Sequence, residues 1–404
     1  AMPHADSANR PRPEPAVVVI AAGVCAALHV GKLPPAITTL GEAMGLSLVQ
    51  AGFLLSLVQA AGMSLGLVFG TVADGLGLRR SMIVGLCVLG VASLLGGAAT
   101  DVPALMLLRA LEGFGFLLVV LPAPGLVRQL LPPGRVTAML GVWGAYMPLA
   151  TALALLLGPL CIGVLGWRGW WWGLGALSLA AAAALARAVP DPLAAPGVSA
   201  AGPGWAARLG GTLATPGPWL VAVTFAMYSG QWLAVIGFLP AIYTQAGVSG
   251  AATAVLTALA AAANIVGNVG SGRLLQRGVP APHLLAVGFA TMAMAAIAAF
   301  AGGPGAGLPG WLRYAAVLAF SGFGGLIPAT LFALALRLAP GPGAVSTTVG
   351  WVQQWSALGQ FAGPPGVAWV AGQAGGWEWT GAATAACSAL GLLLTRAIAR
   401  LLRP

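Results

Sequence analysis

Charged residues are scarce in this sequence: 6% of its 404 residues are Asp, Glu, Lys or Arg, and Lys32 is the single lysine. A soluble domain carries about 25% charged residues, because these residues form its surface in water. Cysteine is also rare, and all four cysteines lie within apolar runs without a C-x-x-C spacing. The shortage of charge excludes a soluble globular protein, and the cysteines are predicted to be small buried apolar residues.

Motifs that carry catalytic chemistry are missing as well. The sequence contains no Walker loop, no metal-ligand cluster and no arrangement of nucleophile and base. We therefore expect no cofactor, no bound metal and no enzymatic activity. An integral-membrane enzyme is the alternative from another class, and it would need such a cluster at one membrane interface.

The positive balance of charge does not indicate nucleic acid. The formal net charge is +10, but the basic residues are spread one or two at a time between apolar runs. A nucleic-acid surface would instead gather them in a patch or stripe. We expect no nucleic-acid partner.

What the sequence does contain is a succession of apolar runs of about 20 residues, the length that crosses the roughly 30 Å hydrocarbon core as a helix. Lipid offers no hydrogen-bond partners, so each span must satisfy its backbone internally as an α-helix. We predict an all-α membrane protein with twelve transmembrane helices, at residues 16–40, 46–69, 81–100, 103–127, 136–161, 169–189, 218–245, 251–272, 283–302, 312–336, 346–371 and 379–398.

The spans are predicted to form two halves of six helices. A disordered polar tail, 1–15, precedes the N-terminal half at 16–189, and a linker at 190–217 leads to the C-terminal half at 218–404. Placing both termini in the cytoplasm puts fourteen of the eighteen basic residues on that side, as the positive-inside rule favours. The first apolar run is interpreted as a span, because it continues without a clear signal-peptide cleavage site.

Short motifs recur at a nearly constant offset of about 205 to 210 residues. GKLPPAI at 31–37 corresponds to GFLPAI at 237–242, and Gly158-Pro159 corresponds to Gly363-Pro364. Parallel repeats of this kind are the internal symmetry of one large class of transporters. The halves are therefore predicted to be related by an axis along the membrane normal.

The loop after the second span reads GTVADGLGLRR at 70–80. It resembles the signature G-x-x-x-D-[RK]-x-G-[RK]-[RK] of the major facilitator superfamily, although Gly75 stands where a basic residue is usual. The resemblance implies the major facilitator fold and a cytoplasmic latch between the halves, made by Gly70, Asp74, Gly77, Arg79 and Arg80. The alternative is a plain tight turn followed by a pair of basic residues.

The fourth span carries RALEGFG at 109–115, which resembles the R-x-x-x-G-x-G pattern of the same superfamily. A narrower likeness, to the cyanate-permease and nitroimidazole-transporter branch, rests on 237–240, 141–143 and 322–325. That branch would imply small anions or small heteroaromatic solutes.

Charged side chains inside the spans of the N-terminal half are the main candidates for substrate binding. His29 and Lys32 share one face of the first span, and Arg109 and Glu112 share one face of the fourth. Charges within a membrane are costly and usually face a cavity or a partner, so these four predict an anion site. The alternatives are snorkelling for Lys32, a packing role for His29 and a self-neutralising pair for Arg109 and Glu112.

The C-terminal half offers aromatic and amide groups instead of charges. Such groups orient a ligand by hydrogen bonds and stacking, or else join helices to one another. The candidates, with one tyrosine from the fifth span, are Tyr146, Tyr228, Gln231, Trp232, Asn264, Trp351, Gln354 and Trp355. A further group of tryptophans is predicted to form an aromatic belt at the span ends: Trp167, Trp170, Trp171, Trp172, Trp377 and Trp379.

These features predict a secondary transporter that imports a small organic anion by alternating access, as a monomer in a bacterial inner membrane. Glu112 and His29 are the candidate proton carriers, because the second half has no acid within a span. The alternative is a multidrug or metabolite exporter of the same superfamily.

Overall fold

The computed structural model describes residues 14–67, 77–132, 135, 139, 142–190, 205–302, 307–341 and 344–403, and every regular element in these ranges is helical. The helices are α1 (Pro15–Gly31), α2 (Ile37–Met44), α3 (Leu48–Ser56), α4 (Leu78–Gly97), α5 (Val102–Val120), α6 (Ala123–Leu130), α7 (Tyr146–Ala188), α8 (Trp205–Ala214), α9 (Pro216–Gln245), α10 (Gly250–Gln276), α11 (Ala281–Phe300), α12 (Gly310–Gly324), α13 (Leu326–Arg337), α14 (Val345–Ala374) and α15 (Thr380–Leu401).

Local sequence signals account for where these helices begin and end. Ser47 and Gln50 form a reciprocal capping box at the start of α3, and the Asp101 carboxylate accepts from the Ala104 N–H, 2.8 Å away, at the start of α5. Gly45 and Gly375 take left-handed conformations directly after α2 and α14, a backbone geometry that glycine adopts without strain. The connections between spans are therefore encoded locally.

Ten helical segments of the described residues are long and apolar enough to cross a membrane. One of them, α7, has 43 residues and is broken at Gly166 (φ 71°, ψ 170°), so it supplies two spans. The 30-residue α14 is long enough as well, although its glutamines make it less apolar. Within the described ranges these segments account for the twelve predicted spans, and the all-α membrane fold class is confirmed.

The connection between the sixth and seventh spans is partly helical. We predicted a linker at 190–217; its residues 191–204 lie outside the described ranges, whereas α8 occupies Trp205–Ala214. The first thirteen residues of the predicted tail also lie outside them. The three boundaries between the four predicted segments stay predictions.

Buried apolar side chains gather in two clusters. The first draws almost all its members from 16–189, and the second draws almost all of its own from 221–398. Each cluster also takes a few residues from the other part of the chain: Leu233, Phe238, Ala241 and Ala368 join the first, and Ala152 and Leu155 join the second. The helices around the first cluster form the N-terminal bundle, and those around the second form the C-terminal bundle. The exceptions mark where the two bundles touch.

One line of contact between the bundles joins the second span to α14. A Cβ placed on Gly52 would lie 2.9 Å from Pro365 Cα, and one on Gly62 would lie 2.9 Å from Ala357 Cβ. Such small residues let two helices approach closely in a membrane. Between these two contacts, Gln59 Nε2 donates to Gln360 Oε1 at 3.0 Å, and beyond them the Leu67 N–H donates to Gln354 Oε1 at 3.1 Å. We call this line of contact the seam.

Gly52→Val is expected to push the two helices of the seam apart, because its side chain would overlap the backbone of Pro364 and Pro365. Distances between spin labels on the second span and on α14 would then lengthen relative to the parent protein. Gly41→Val is the matched control, since a Cβ there meets nothing within 4 Å. Equal distances in both variants would contradict the assignment of close contact.

Candidate functional site

The charged residues of the N-terminal half meet in one place. His29, Lys32 and Arg109 are each 0% exposed, and Glu112 is 1% exposed. We call these four residues the ionic cluster. The 3.6-residue period of helices puts each pair on one face of its own helix, and packing of the first span on the fourth brings the two faces together.

Glu112 is the centre of the ionic cluster. Its Oε1 accepts a hydrogen bond from Lys32 Nζ, and its Oε2 accepts one from Arg109, whose Nη1 lies 2.5 Å away. His29 Nδ1 lies 3.4 Å from Lys32 Nζ and 3.7 Å from Glu112 Oε1. Two cationic side chains therefore share one carboxylate, and the predicted excess of positive charge is present within this cluster.

Other spans complete the coordination of the ionic cluster. Lys32 Nζ also donates to Ser93 Oγ of α4 at 3.0 Å, and it lies 4.6 Å from the centre of the Trp171 ring. Trp170 Nε1 donates to the Lys32 carbonyl at 3.0 Å. Trp167, Trp170 and Trp171 are buried parts of the core, and their prediction as members of an aromatic belt was wrong; Trp172, 46% exposed, lies at the surface.

Arg109 connects the ionic cluster to the backbone. Its Nε donates to the Leu54 carbonyl of α3 at 3.1 Å, and its Nη1 donates to the His29 carbonyl at 2.7 Å. Its Nη2 is buried and has no hydrogen-bond partner among the described residues. The ionic cluster thus holds the first, second, third, fourth and sixth spans to one another.

Two adjoining cavities lie elsewhere, between the two bundles. One of them is larger than the other. Both are lined by Tyr146, Met147, Gln353 and Gln360, so we describe them together as the central cavity. The larger part is also lined by Gly144, Pro148, Phe225, Tyr228, Ser229, Trp232, Asn264, Asn268, Pro328, Phe332 and Ser356. The smaller part adds Gln59, Gly62, Gly66, Phe116, Leu117, Val120, Leu121, Gln354 and Ala357.

The lining of the central cavity is polar and aromatic but uncharged. Its polar groups are the amides of asparagine and glutamine and the hydroxyls of serine and tyrosine, and no Asp, Glu, Lys, Arg or His is among the described lining residues. The four residues of the ionic cluster, which we predicted to bind the substrate, line neither part. The charge and the cavity are therefore separate features of this molecule.

The predicted ligand residues of the other spans divide into two groups. Tyr146, Tyr228, Trp232, Asn264 and Gln354 line the central cavity. The remaining three do not: Gln231 donates to the Met227 carbonyl at 2.9 Å and accepts from Ser388 at 2.9 Å, while Trp351 and Trp355 pack edge-on against Trp219. Helical periodicity predicted which residues share a face of a helix, but it did not predict whether that face lines the cavity or packs against another helix.

Two of the five predicted latch residues, Gly70 and Asp74, lie outside the described residues. Gly77 precedes α4 with φ 81°, which suits a glycine turn. Arg79 donates to the carbonyls of Ala186 and Val189 at the end of α7, at 2.6 and 2.8 Å. Arg80 is exposed at the start of α4. The latch itself stays a prediction.

Several lining residues were absent from the predicted site. Gln59, Gln353 and Gln360 are amides within otherwise apolar spans, and that isolation was the signal that could have found them. Asn268 lies one turn after Asn264 on the same face of α10. Phe225 and Phe332 carried no signal, because aromatic residues are common throughout apolar spans.

A helical membrane bundle with a cavity between its two parts is typical of a transporter of small molecules. The chain belongs to the Major Facilitator Superfamily, whose family model matches residues 19–364. The family resemblance of the sequence is therefore confirmed, and the family and fold are those of a transporter, not an enzyme.

Solved structures show the same fold. A bacterial homologue of the human lysosomal transporter Spinster, in an inward-facing and occupied conformation, aligns with a TM-score of 0.76 and 16% identity over 95% of this chain and 96% of that one. The inward-facing and unoccupied form aligns with a TM-score of 0.71 and 17% identity over 96% of this chain and 94% of that one. At such identities the likeness establishes the fold alone.

Two sequence relatives are Streptomyces proteins named for resistance. The puromycin resistance protein pur8 of Streptomyces alboniger is 35% identical over 153 residues, 38% of this chain and 30% of that protein. The tetracenomycin C resistance and export protein of Streptomyces glaucescens is 28% identical over 168 residues, 40% of this chain and 30% of that protein. Each match spans less than a third of the relative's length.

Proposed function

We propose that this transporter exports uncharged, aromatic small molecules through the central cavity by alternating access. The observation that carries the proposal is the lining itself, which presents amides, hydroxyls and aromatic rings without a charged side chain among its described residues. Desolvating a charged ligand against neutral groups would be costly, whereas an uncharged ligand loses little on leaving water.

The names of the two relatives support the outward direction. Both are described as resistance proteins, and one also as an export protein. Resistance by a membrane carrier requires removal of the compound from the cell. The exporter alternative of the sequence analysis is therefore the form that we propose here.

The ionic cluster serves a structural role in this proposal. Its charged groups are held within the N-terminal bundle, where Glu112 binds both Lys32 and Arg109, and a ligand in the central cavity does not need to approach them. Import of an organic anion remains the competing prediction, and it would require the ionic cluster to open toward the central cavity.

The proposed setting is a bacterial inner membrane, with a monomeric carrier whose termini both face the cytoplasm. The described spans and the even number of crossings support termini on one side, and the excess of arginine at that side supports its assignment as the cytoplasmic one.

The charge preference is tested with purified protein in proteoliposomes. The expected result is transport of uncharged aromatic compounds at rates well above protein-free vesicles, with little transport of an aromatic carboxylate of the same size. Tetracenomycin C, the compound in one relative's name, is the first compound to try. Preferred transport of the carboxylate would overturn the proposal in favour of anion import.

Proton coupling is tested in the same vesicles by imposing a pH gradient. If Glu112 or His29 carries protons, the gradient should drive accumulation. If His29 is the carrier, His29→Gln, which keeps the Glu112 carboxylate, should abolish the response while exchange persists. Accumulation that does not depend on the gradient would contradict both assignments.

A further inference from the structure

One wall of the central cavity carries a chain of hydrogen bonds whose direction can be read from its partners. Asn264 Nδ2 lies 2.8 Å from the Ser321 carbonyl and 2.9 Å from the Tyr228 hydroxyl. A carbonyl oxygen only accepts, so the Asn264 atom beside it must be the nitrogen. The orientation of this amide follows from its hydrogen-bond network, as it must for any asparagine.

The direction of the next bond follows. The two N–H groups of Asn264 point at Ser321 and Tyr228, so the Tyr228 oxygen accepts from one of them. The hydroxyl proton of Tyr228 is then not used in that bond, and among the described residues it has no other hydrogen-bond partner. Tyr228 lines the central cavity, where its hydroxyl is a donor available to a ligand.

Asn268 extends this chain of hydrogen bonds and adds an acceptor. Its Nδ2 donates to Asn264 Oδ1 at 2.8 Å and to the Asn264 carbonyl at 3.1 Å. The Asn268 Oδ1 has no partner among the described residues, and Asn268 lines the same part of the cavity. Bonds arranged head to tail polarise one another, which strengthens the Tyr228 hydroxyl as a donor.

Aromatic rings surround this donor and acceptor. Phe225 lies 6.2 Å from Tyr228 and 5.4 Å from Phe332, measured between ring centres. Trp232 is held by its own hydrogen bond to Ser321 Oγ, at 3.1 Å, so its indole N–H is already satisfied. These rings offer apolar contact to a planar ligand and leave the polar recognition to Tyr228 and Asn268.

We propose that Tyr228 and Asn268 form a subsite for the polar edge of an uncharged aromatic ligand, in which the Tyr228 hydroxyl donates to a ligand carbonyl and Asn268 accepts from a ligand N–H or O–H. This inference rests on the proposed function and deepens it, because it names the groups that the ligand must carry. It distinguishes carbonyl-bearing aromatic compounds from plain hydrocarbons of the same shape.

The test measures binding of four naphthalene probes by equilibrium dialysis, using protein in lipid nanodiscs and empty nanodiscs to subtract partition into lipid. The probes are 2-acetylnaphthalene, with an acceptor; 2-ethylnaphthalene, of nearly the same shape without one; 2-naphthamide, with an acceptor and a donor; and 2-naphthoate, an anion. Tyr228→Phe removes the hydroxyl and keeps the ring. Tyr243→Phe, the same change on the same helix away from the described cavity lining, is the control.

We expect Tyr228→Phe to weaken binding of 2-acetylnaphthalene about three- to tenfold, the range for one hydrogen bond, and to leave 2-ethylnaphthalene unchanged. Asn268→Leu should weaken 2-naphthamide more than 2-acetylnaphthalene. Equal losses for the acetyl and ethyl probes, or no loss for either, would overturn the subsite and leave the proposed function standing. Binding of 2-naphthoate alone would overturn the proposed function and the subsite together.

Discussion

Glu112→Gln is expected to destabilise the protein more than any other single change in the ionic cluster. The substitution leaves Lys32 and Arg109 side by side, both buried and without a carboxylate between them. Removing one partner of a buried ion pair costs about 3–5 kcal/mol, because the remaining charge is not compensated. The expected result is a large fall in the midpoint of thermal unfolding, measured in detergent by intrinsic tryptophan fluorescence.

Lys32→Met removes one of the two cations instead of the carboxylate, and its stability is compared with that of Glu112→Gln. It leaves the Arg109–Glu112 pair intact and removes the excess positive charge of the ionic cluster, so the loss of stability should be much smaller than for Glu112→Gln. Glu42→Gln, which removes a carboxylate from an exposed position of α2, should have little effect. If Lys32→Met were the more damaging variant, the ionic cluster would not be organised around its carboxylate.

Gly267→Ala is expected to disrupt the packing of α10 against α12, the two helices that place Asn264 and Ser321 beside the central cavity. A Cβ on Gly267 of α10 would lie 2.0 Å from the Gly322 carbonyl of α12, so the two helices must separate. The same contact brings Asn264 of α10 to the Ser321 carbonyl of α12, and a shift would lengthen the bonds that orient Tyr228. Overpacking of this kind costs about 1–3 kcal/mol, and ligand binding should fall with it.

Gly270→Ala provides the matched control on the same helix. A Cβ there meets nothing within 4 Å, so this variant gains helix propensity without a clash. Thermal unfolding and dialysis with 2-acetylnaphthalene would be measured for both variants. The close contact of α10 with α12 would be contradicted if the two variants had the same unfolding midpoint and the same affinity.

The sequence by itself determined the class and the fold of this protein. Its apolar runs had to become membrane helices, because lipid leaves a backbone no other way to satisfy its hydrogen bonds. Motifs such as RALEGFG and the spaced repeats then indicated the family, which the family match confirmed. The pairing of His29 with Lys32, and of Arg109 with Glu112, also followed from helical periodicity.

Only the tertiary structure decided which of these faces meets the cavity. A helical face is defined by its own sequence, but the neighbour it contacts depends on how all the spans pack. Lys32 and Arg109 were therefore predicted as ligand groups, and instead share Glu112 inside one bundle, beside Trp171. Tyr228, among the predicted candidates, does line the cavity, but the free proton of its hydroxyl could be assigned only once Ser321 of a distant span was placed beside Asn264.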